Sequence, residues 1–223
     1  AVHSVLQTYT VPLPQVLKDL PLWIPPLKNE VTSLETSTTA VRPVKVKDLV
    51  NEPGYEEMLV VPSKVVPTVK APDARKKARI VLCGNLVEDT SKCREQPMAL
   101  EDRQDDQPPQ QKTMGSSFDL YASGIDGMSL RCTLRKAAQE KWSVGVTDVS
   151  TAFLLAPRKS SRLMVTKPPS ILVEAGLIDP DIRWVIEKAV YGLDTSPSDW
   201  QAYRDEALQS MRWWEDGVHN WVV

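Results

Sequence analysis

The chain has 223 residues, of which 42% are hydrophobic and 25% charged, and its formal net charge is −2. This composition excludes a collagen-like protein, a largely disordered chain and a disulfide scaffold, and near-neutral charge means that nucleic-acid binding needs a local basic surface. Three cysteines without a Cys-x-x-Cys pair, and only two histidines, argue against a zinc site and a Ser-His triad. We expect an intracellular protein, cytoplasmic or nuclear, because neither a signal peptide nor a membrane span is visible.

The first third of the chain is rich in proline, with ten of the 18 prolines before residue 75. Proline cannot occupy a helix interior without cost or donate to a central strand ladder, so this region predicts loops, short helices and edge strands. Residues 1–20 are interpreted as an N-terminal arm. A short helix is predicted over Leu27–Leu34, directly behind Pro25-Pro26.

Residues 59–83 predict a β-hairpin. A valine-rich run with two prolines predicts an edge strand over 60–70, and turn-forming residues lead into a returning strand from residue 75. Among the basic residues of the two strands, Lys64 and Lys70 share one parity, and so do Arg75, Lys77 and Arg79. Side chains alternate along a strand, so a register that aligns these residues gives the hairpin a cationic face. The alternative is a solvated edge whose charges prevent aggregation.

The middle of the chain changes character twice. Residues 88–117 are polar and proline-containing, which predicts a loop or disordered insertion. An amphipathic helix follows over 129–141, capped by Ser129 or Asp126. The alternating run over 142–149 then predicts a strand with Asp148 on its apolar face. A carboxylate there is costly unless it is paired, protonated or holding a cation, although Asp148 could instead cap the next segment.

The last third predicts a connection, two strands and a helix. Short strands are expected at Leu163–Val165 and from Trp184 to Tyr191, where Gly192 ends the second strand. A helix over 197–214 begins with Ser196 in the cap position and Asp199 three residues later, which is close to a capping box. Its aromatic stripe indicates a core-facing surface rather than a base-stacking platform.

Several segments carry a joint pattern in order along residues 22–217. They are Lys77-Ala78-Arg79-Ile80-Val81, Leu130-Arg131, Asp148-Val149-Ser150-Thr151-Ala152-Phe153-Leu154, Leu163-Met164-Val165 with Pro168-Pro169, and Ala189-Val190-Tyr191-Gly192-Leu193 with Pro197 and Trp200. Together they resemble the reverse transcriptase of copia-type retrotransposon polyproteins. The resemblance implies an α+β fold that forms a partial right hand, with an antiparallel sheet packed on helices.

The resemblance also implies a division of the chain. Residues 21–223 become a partial reverse transcriptase domain, with a fingers hairpin at about 59–83 and the polar insertion at 88–117. A palm segment follows at about 126–160, and the connection and second motif region occupy 161–223. Its partners are an RNA or DNA template-primer, deoxynucleoside triphosphates and the remaining polyprotein segments, with no membrane.

In this resemblance Asp148 is the catalytic carboxylate and, with the backbone carbonyl of Val149, a ligand of Mg²⁺ in a two-metal mechanism. Lys70 and Arg79 bind the triphosphate from the fingers. Phe153 lies beside the sugar of the nucleotide, where it selects against a ribose 2′-hydroxyl. The alternative is that Phe153 is an ordinary core residue. Gly192 lets the backbone approach the template or the nucleotide closely, and the alternative is that Gly192 simply ends a strand. Val149 contacts the nucleotide as well.

The chain departs from the family at three points. Asp194 and Ser198 replace two cations, and the aromatic-x-Asp-Asp motif is missing before Val223. One carboxylate cannot hold two metal ions, so we expect a truncated or degenerate polymerase that is inactive by itself. Two other interpretations remain open: a non-catalytic nucleic-acid-binding remnant, and an inert derivative that aggregates because its palm sheet is incomplete.

Overall fold

The computed structural model describes residues 8–71, 73–89, 126–145 and 148–210. Its strands are β1 (Thr8–Thr10), β2 (Val41–Lys45), β3 (Leu59–Val60), β4 (Ser63–Lys70), β5 (Arg75–Leu82), β6 (Glu88–Asp89), β7 (Met164–Thr166) and β8 (Ile182–Ile186). Its α-helices are α1 (Leu13–Lys18), α2 (Leu20–Thr32), α3 (Gly127–Gln139), α4 (Ser170–Glu174) and α5 (Ser196–Ser210). The predicted α+β class is therefore confirmed.

The strands form two sheets, one of three strands in the order β1-β4-β5 and one of five in the order β2-β8-β7-β3-β6. All neighbours are antiparallel except β3 and β7, which run parallel. One hydrophobic core joins the sheets, since it contains Leu27 of α2, Ile80 of β5 and Trp184 of β8. The buried Trp184 indole donates a hydrogen bond from Nε1 to Oε1 of Glu35 at 2.6 Å.

The hairpin prediction is confirmed, with β4 and β5 paired from Ser63 opposite Leu82 to Lys70 opposite Arg75. The predicted edge position of the first strand is wrong, because β1 pairs with the last three residues of β4. Pro67 is compatible with this central place. The N–H of Val11 donates to the Pro67 carbonyl at 2.9 Å, just beyond the end of β1. The Pro67 nitrogen, which carries no hydrogen, points to the same side of β4 as this carbonyl. Because β1 has already ended there, no residue of β1 needs a hydrogen bond from it.

The described part of the predicted N-terminal arm, residues 8–20, contains β1 and α1 and ends at the first residue of α2, and residues 1–7 lie outside the described part. Helix α2 begins seven residues before the predicted start at Leu27 and contains Pro25 and Pro26 in its interior. Each interior proline removes a backbone donor and costs about 3 kcal/mol. The helix persists because Trp23, Leu27 and Val31 are buried in the core shared with β5.

Two of the later helices agree with the sequence. Helix α3 is capped by Asp126, whose Oδ1 accepts the N–H groups of Met128 at 2.9 Å and Ser129 at 3.0 Å. Helix α5 covers the described part of the predicted 197–214 helix. The predicted capping box is wrong, because Ser196 lies inside the helix and donates its hydroxyl to the Val190 carbonyl. Among the described helices, none is long and apolar enough to cross a membrane.

The predicted strand over 142–149 is wrong for its described residues, 142–145 and 148–149, none of which belongs to a strand. Trp142, Val144, Asp148 and Val149 are all exposed. An alternating sequence becomes a strand only where a neighbour supplies backbone partners and a buried face. The strand predicted around Leu163–Val165 is confirmed as β7. The strand predicted over 184–191 is β8, which ends at Ile186. From residue 90, the polar insertion lies outside the described part.

Candidate nucleic-acid interface

The register of β4 and β5 aligns five of the six basic residues of the hairpin on one side, and Lys76 lies on the other. Arg75 lies opposite Lys70, and Arg79 lies opposite Val66, two residues from Lys64. The opposite side of the hairpin carries Ala78, Ile80 and Leu82 into the core. We call the first side the cationic face, and it consists of Lys64, Lys70, Arg75, Lys77 and Arg79.

Few negative charges balance the cationic face. In the part of the chain that the structure describes, no carboxylate lies within ion-pair distance of its five side chains. Burial lowers the pKa of Lys77, and the neighbouring charges of Arg79, Lys70 and Arg75 lower it further, whereas the charge of Glu30 opposes this. Cations placed side by side on one face repel one another, which favours a polyanionic ligand whose charge removes the repulsion.

One end of the cationic face packs on an aromatic pair. The guanidinium carbon of Arg79 lies 5.4 Å from the centre of the Tyr191 ring. The rings of Phe153 and Tyr191 meet edge to face at 5.7 Å between centres. Burial raises the pKa of Tyr191 above its usual value although the Arg79 charge opposes this, so the phenol is neutral at pH 7. The contact with the Tyr191 ring holds the Arg79 guanidinium in place.

Gly192 lies in the turn after β8 and is bonded to the end of β5. The N–H of Leu82 donates to the Tyr191 carbonyl at 2.7 Å, and the N–H of Gly84 donates to the Gly192 carbonyl at 3.0 Å. Gly192 has a φ of +90°, and a Cβ there would lie 2.0 Å from the carbonyl oxygen of Leu82. The close backbone approach that requires this glycine is therefore made to the chain's own β5.

The structure thus brings three of the predicted nucleotide-binding residues together, since Arg79, Phe153 and Gly192 surround or adjoin Tyr191. Lys70 shares the cationic face with Arg79 but lies opposite Arg75, at the turn end of the hairpin. Four residues of strand separate Arg75 from Arg79, which corresponds to about 13 Å. Lys70 and Arg79 therefore contact different parts of any ligand that covers the face.

Asp148 and Val149 are exposed and follow residues 146–147, which the structure leaves undescribed. They precede a 3₁₀ turn over Ala152–Leu155 that carries Phe153. No group of three or more His, Cys, Asp or Glu side chains in residues 8–71, 73–89, 126–145 and 148–210 could hold a metal ion. The described residues do not form a two-ion site, and the Mg²⁺ assigned to Asp148 and the Val149 carbonyl stays a prediction.

Sequence reasoning missed two residues of this region. Tyr191 belongs to one of the quoted motifs but received no role, although its place between Arg79 and Phe153 makes it the centre of the cluster. Glu30 of α2 lies beside the cationic face, where one carboxylate oxygen accepts the N–H of Ile80 at 3.2 Å. No local signal identifies Glu30, because its neighbours come from a strand 50 residues later.

The chain was compared with protein-family models, curated proteins and solved structures, and none of them matches it.

Proposed function

We propose that the chain is the fingers and part of the palm of a copia-type reverse transcriptase, and that its own function is to bind nucleic-acid phosphates on the cationic face. The observation that carries the proposal is the β4–β5 register, which gathers five cations on one side of the hairpin. Lys and Arg side chains bind phosphates without reading sequence, and the released counterions supply much of the affinity.

The aromatic end of the cationic face adds a second kind of contact. Arg79 supplies a fork of donors that suits a phosphate, and the Tyr191 ring beneath it fixes the fork. In this proposal the phosphates of a nucleoside triphosphate lie between Lys70 and Arg79, its sugar adjoins Phe153, and its remaining edge contacts the Val149 backbone. Gly192 adjoins this site, with its own close backbone approach made to β5. The edge-to-face contact with Tyr191 supports the role of Phe153, since it holds that ring in place.

Asp148 belongs to the same proposal as one carboxylate of a magnesium site, with the Val149 carbonyl beside it. Magnesium ions in such enzymes stabilise the attacking and leaving oxygens of nucleotide transfer, and a two-ion site needs more than one carboxylate. The printed sequence contains no aromatic-x-Asp-Asp motif. We therefore expect this chain to bind nucleic acid without extending a primer.

The first test removes three cations of the face by Lys64→Ala, Lys70→Ala and Arg75→Ala. Binding of a labelled oligothymidylate is measured by fluorescence anisotropy over a series of salt concentrations. The wild-type affinity falls steeply with salt, and the triple variant reduces the slope of log affinity against log salt by about 2, at about 0.7 per single-strand phosphate contact.

The matched control removes three exposed cations elsewhere, by Lys45→Ala, Lys47→Ala and Arg135→Ala. These residues lie on β2, in the following 3₁₀ turn and on α3, and their loss changes net charge by the same amount. An equal effect in both triple variants attributes binding to net charge alone and overturns the assignment to the cationic face. Wild-type binding that does not depend on salt overturns the proposed function.

A second test offers the chain a primed template, deoxynucleotides and Mg²⁺. We expect no incorporation above background, because a single carboxylate leaves the metal site incomplete. Incorporation that Asp148→Asn abolishes would contradict the predicted inactivity and support the metal role of Asp148. Incorporation that Asp148→Asn leaves unchanged would contradict both predictions. A gel that resolves single-nucleotide extension separates the three outcomes.

A further inference from the structure

Glu30 brings a carboxylate to the aromatic end of the cationic face. It is half-buried on α2 and accepts the N–H of Ile80, the residue after Arg79. The charges of Lys77 and Arg79 act on it from β5, and it acts in turn on Tyr191 in the turn after β8. Lys28, the other charged residue of α2, is two positions away and exposed, so it does not face Glu30.

The hydrogen bond from the Ile80 N–H at the edge of β5 does not require a charged acceptor. The Ile80 N–H points away from β4, and a neutral acceptor would satisfy it equally well. Burial raises the pKa of Glu30, although the Ile80 hydrogen bond and the Lys77 and Arg79 charges oppose this. The Glu30 carboxyl group is thus half-buried against the strand that carries the cations to which the proposed function assigns phosphate binding.

We propose that Glu30 is an internal competitor of phosphate: its carboxylate balances Lys77 and Arg79 in the free protein and opposes a phosphate that approaches them. This inference rests on the proposed function. Like charges placed together lower affinity, so a bound phosphate either repels Glu30 or promotes its protonation. Affinity at this end of the cationic face then depends on pH.

The test is Glu30→Gln, which keeps an oxygen acceptor for the Ile80 N–H and removes the charge. We expect the variant to bind a labelled oligothymidylate about twofold to fivefold more tightly than wild type at pH 7.5, a range typical of single exposed charge pairs. Glu174→Gln is the matched control, because it removes the same charge from the exposed side of α4. Its effect on affinity is expected to be smaller.

The pH profile gives an independent readout. Burial raises the pKa of Glu30 above its ordinary value, so as the pH falls the opposing charge is lost at a higher pH than for an exposed glutamate. Wild-type and Glu174→Gln affinities therefore rise between pH 7.5 and pH 5, and the Glu30→Gln affinity rises less. Thymine bases take up no proton in this range, and histidines titrate alike in all three proteins.

The outcomes separate the two proposals. Wild type that fails to bind in a salt-dependent way overturns the proposed function and this inference with it. Intact wild-type binding with equal affinities and equal pH profiles for Glu30→Gln and Glu174→Gln overturns only this inference. If Glu30→Gln does not fold, the wild-type pH profile is compared with that of Arg79→Gln. A smaller rise in Arg79→Gln supports the inference, and an equal rise overturns it.

Discussion

Replacing Gly192 by alanine is expected to remove much of the protein's stability. A non-glycine residue at φ +90° costs about 1–3 kcal/mol, and relieving a backbone overlap costs a further 1–3 kcal/mol or so. The overlap is severe because the new Cβ would lie 2.0 Å from the carbonyl oxygen of Leu82. Since domains are stable by only about 5–15 kcal/mol, a fall of about 2–6 kcal/mol in the free energy of unfolding is large.

The matched control is Gly176→Ala. Gly176 also has a positive φ, of +66°, but a Cβ there meets nothing within 4 Å. This variant measures the cost of the backbone conformation alone, so we expect a loss of about 1–2 kcal/mol. Urea denaturation followed by circular dichroism gives both values.

The comparison also decides between the two interpretations of Gly192. If the residue serves the chain's own packing on β5, Gly192→Ala loses stability and binding together. A variant with wild-type stability and reduced oligonucleotide affinity would contradict this view and favour close approach to a nucleotide.

The second large effect is expected for Trp184→Ala. Trp184 is fully buried in β8, and removing a buried aromatic side chain from a core costs about 3–5 kcal/mol. The substitution also deprives Glu35 of the indole N–H that it accepts at 2.6 Å. Thermal unfolding should show a markedly lower Tm, and a broad transition would indicate that the core no longer packs uniquely.

Two further substitutions separate the contributions. Trp184→Phe keeps an aromatic ring but removes the N–H donor, and we expect a smaller loss of about 1–3 kcal/mol, typical of an unpaired polar group. Trp142→Ala changes the same residue type at an exposed position, where the expected change is within about 0.5 kcal/mol. Equal destabilisation by Trp142→Ala and Trp184→Ala would refute the core assignment of Trp184.

The hairpin was predictable because all its signals are local. Turn-forming residues separate a valine-rich run from a basic run, and the length of the connection fixes which residues lie opposite each other. Once Lys70 is opposite Arg75, strict alternation places Lys64, Lys77 and Arg79 on the same face. The Asp126 cap was predictable for the same reason, since its partners Met128 and Ser129 are two and three residues away.

Contacts between distant segments were not predictable from periodicity. Arg79, Phe153 and Tyr191 lie far apart along the chain, and only the resemblance suggested that the first two share a site. The prediction of a strand before Asp148 was wrong because alternating apolar and polar residues suit a strand but do not supply the neighbouring strand with which it must pair. Helix α2 was placed too late because local rules exclude Pro25 and Pro26 from a helix interior, whereas burial of Trp23 stabilises that interior.

The antiparallel pairing of β2 with β8 joins Val41 to Ile186, two residues 145 positions apart. A ribosome that adds about 5–20 residues per second needs about 7–30 s to travel between them. During that time the nascent β2 has no partner, and the hairpin of β4 and β5 is complete long before the five-stranded sheet. Synthesis of this chain therefore favours a host in which chaperones shield the growing polypeptide, and cell-free translation without them should yield more insoluble product.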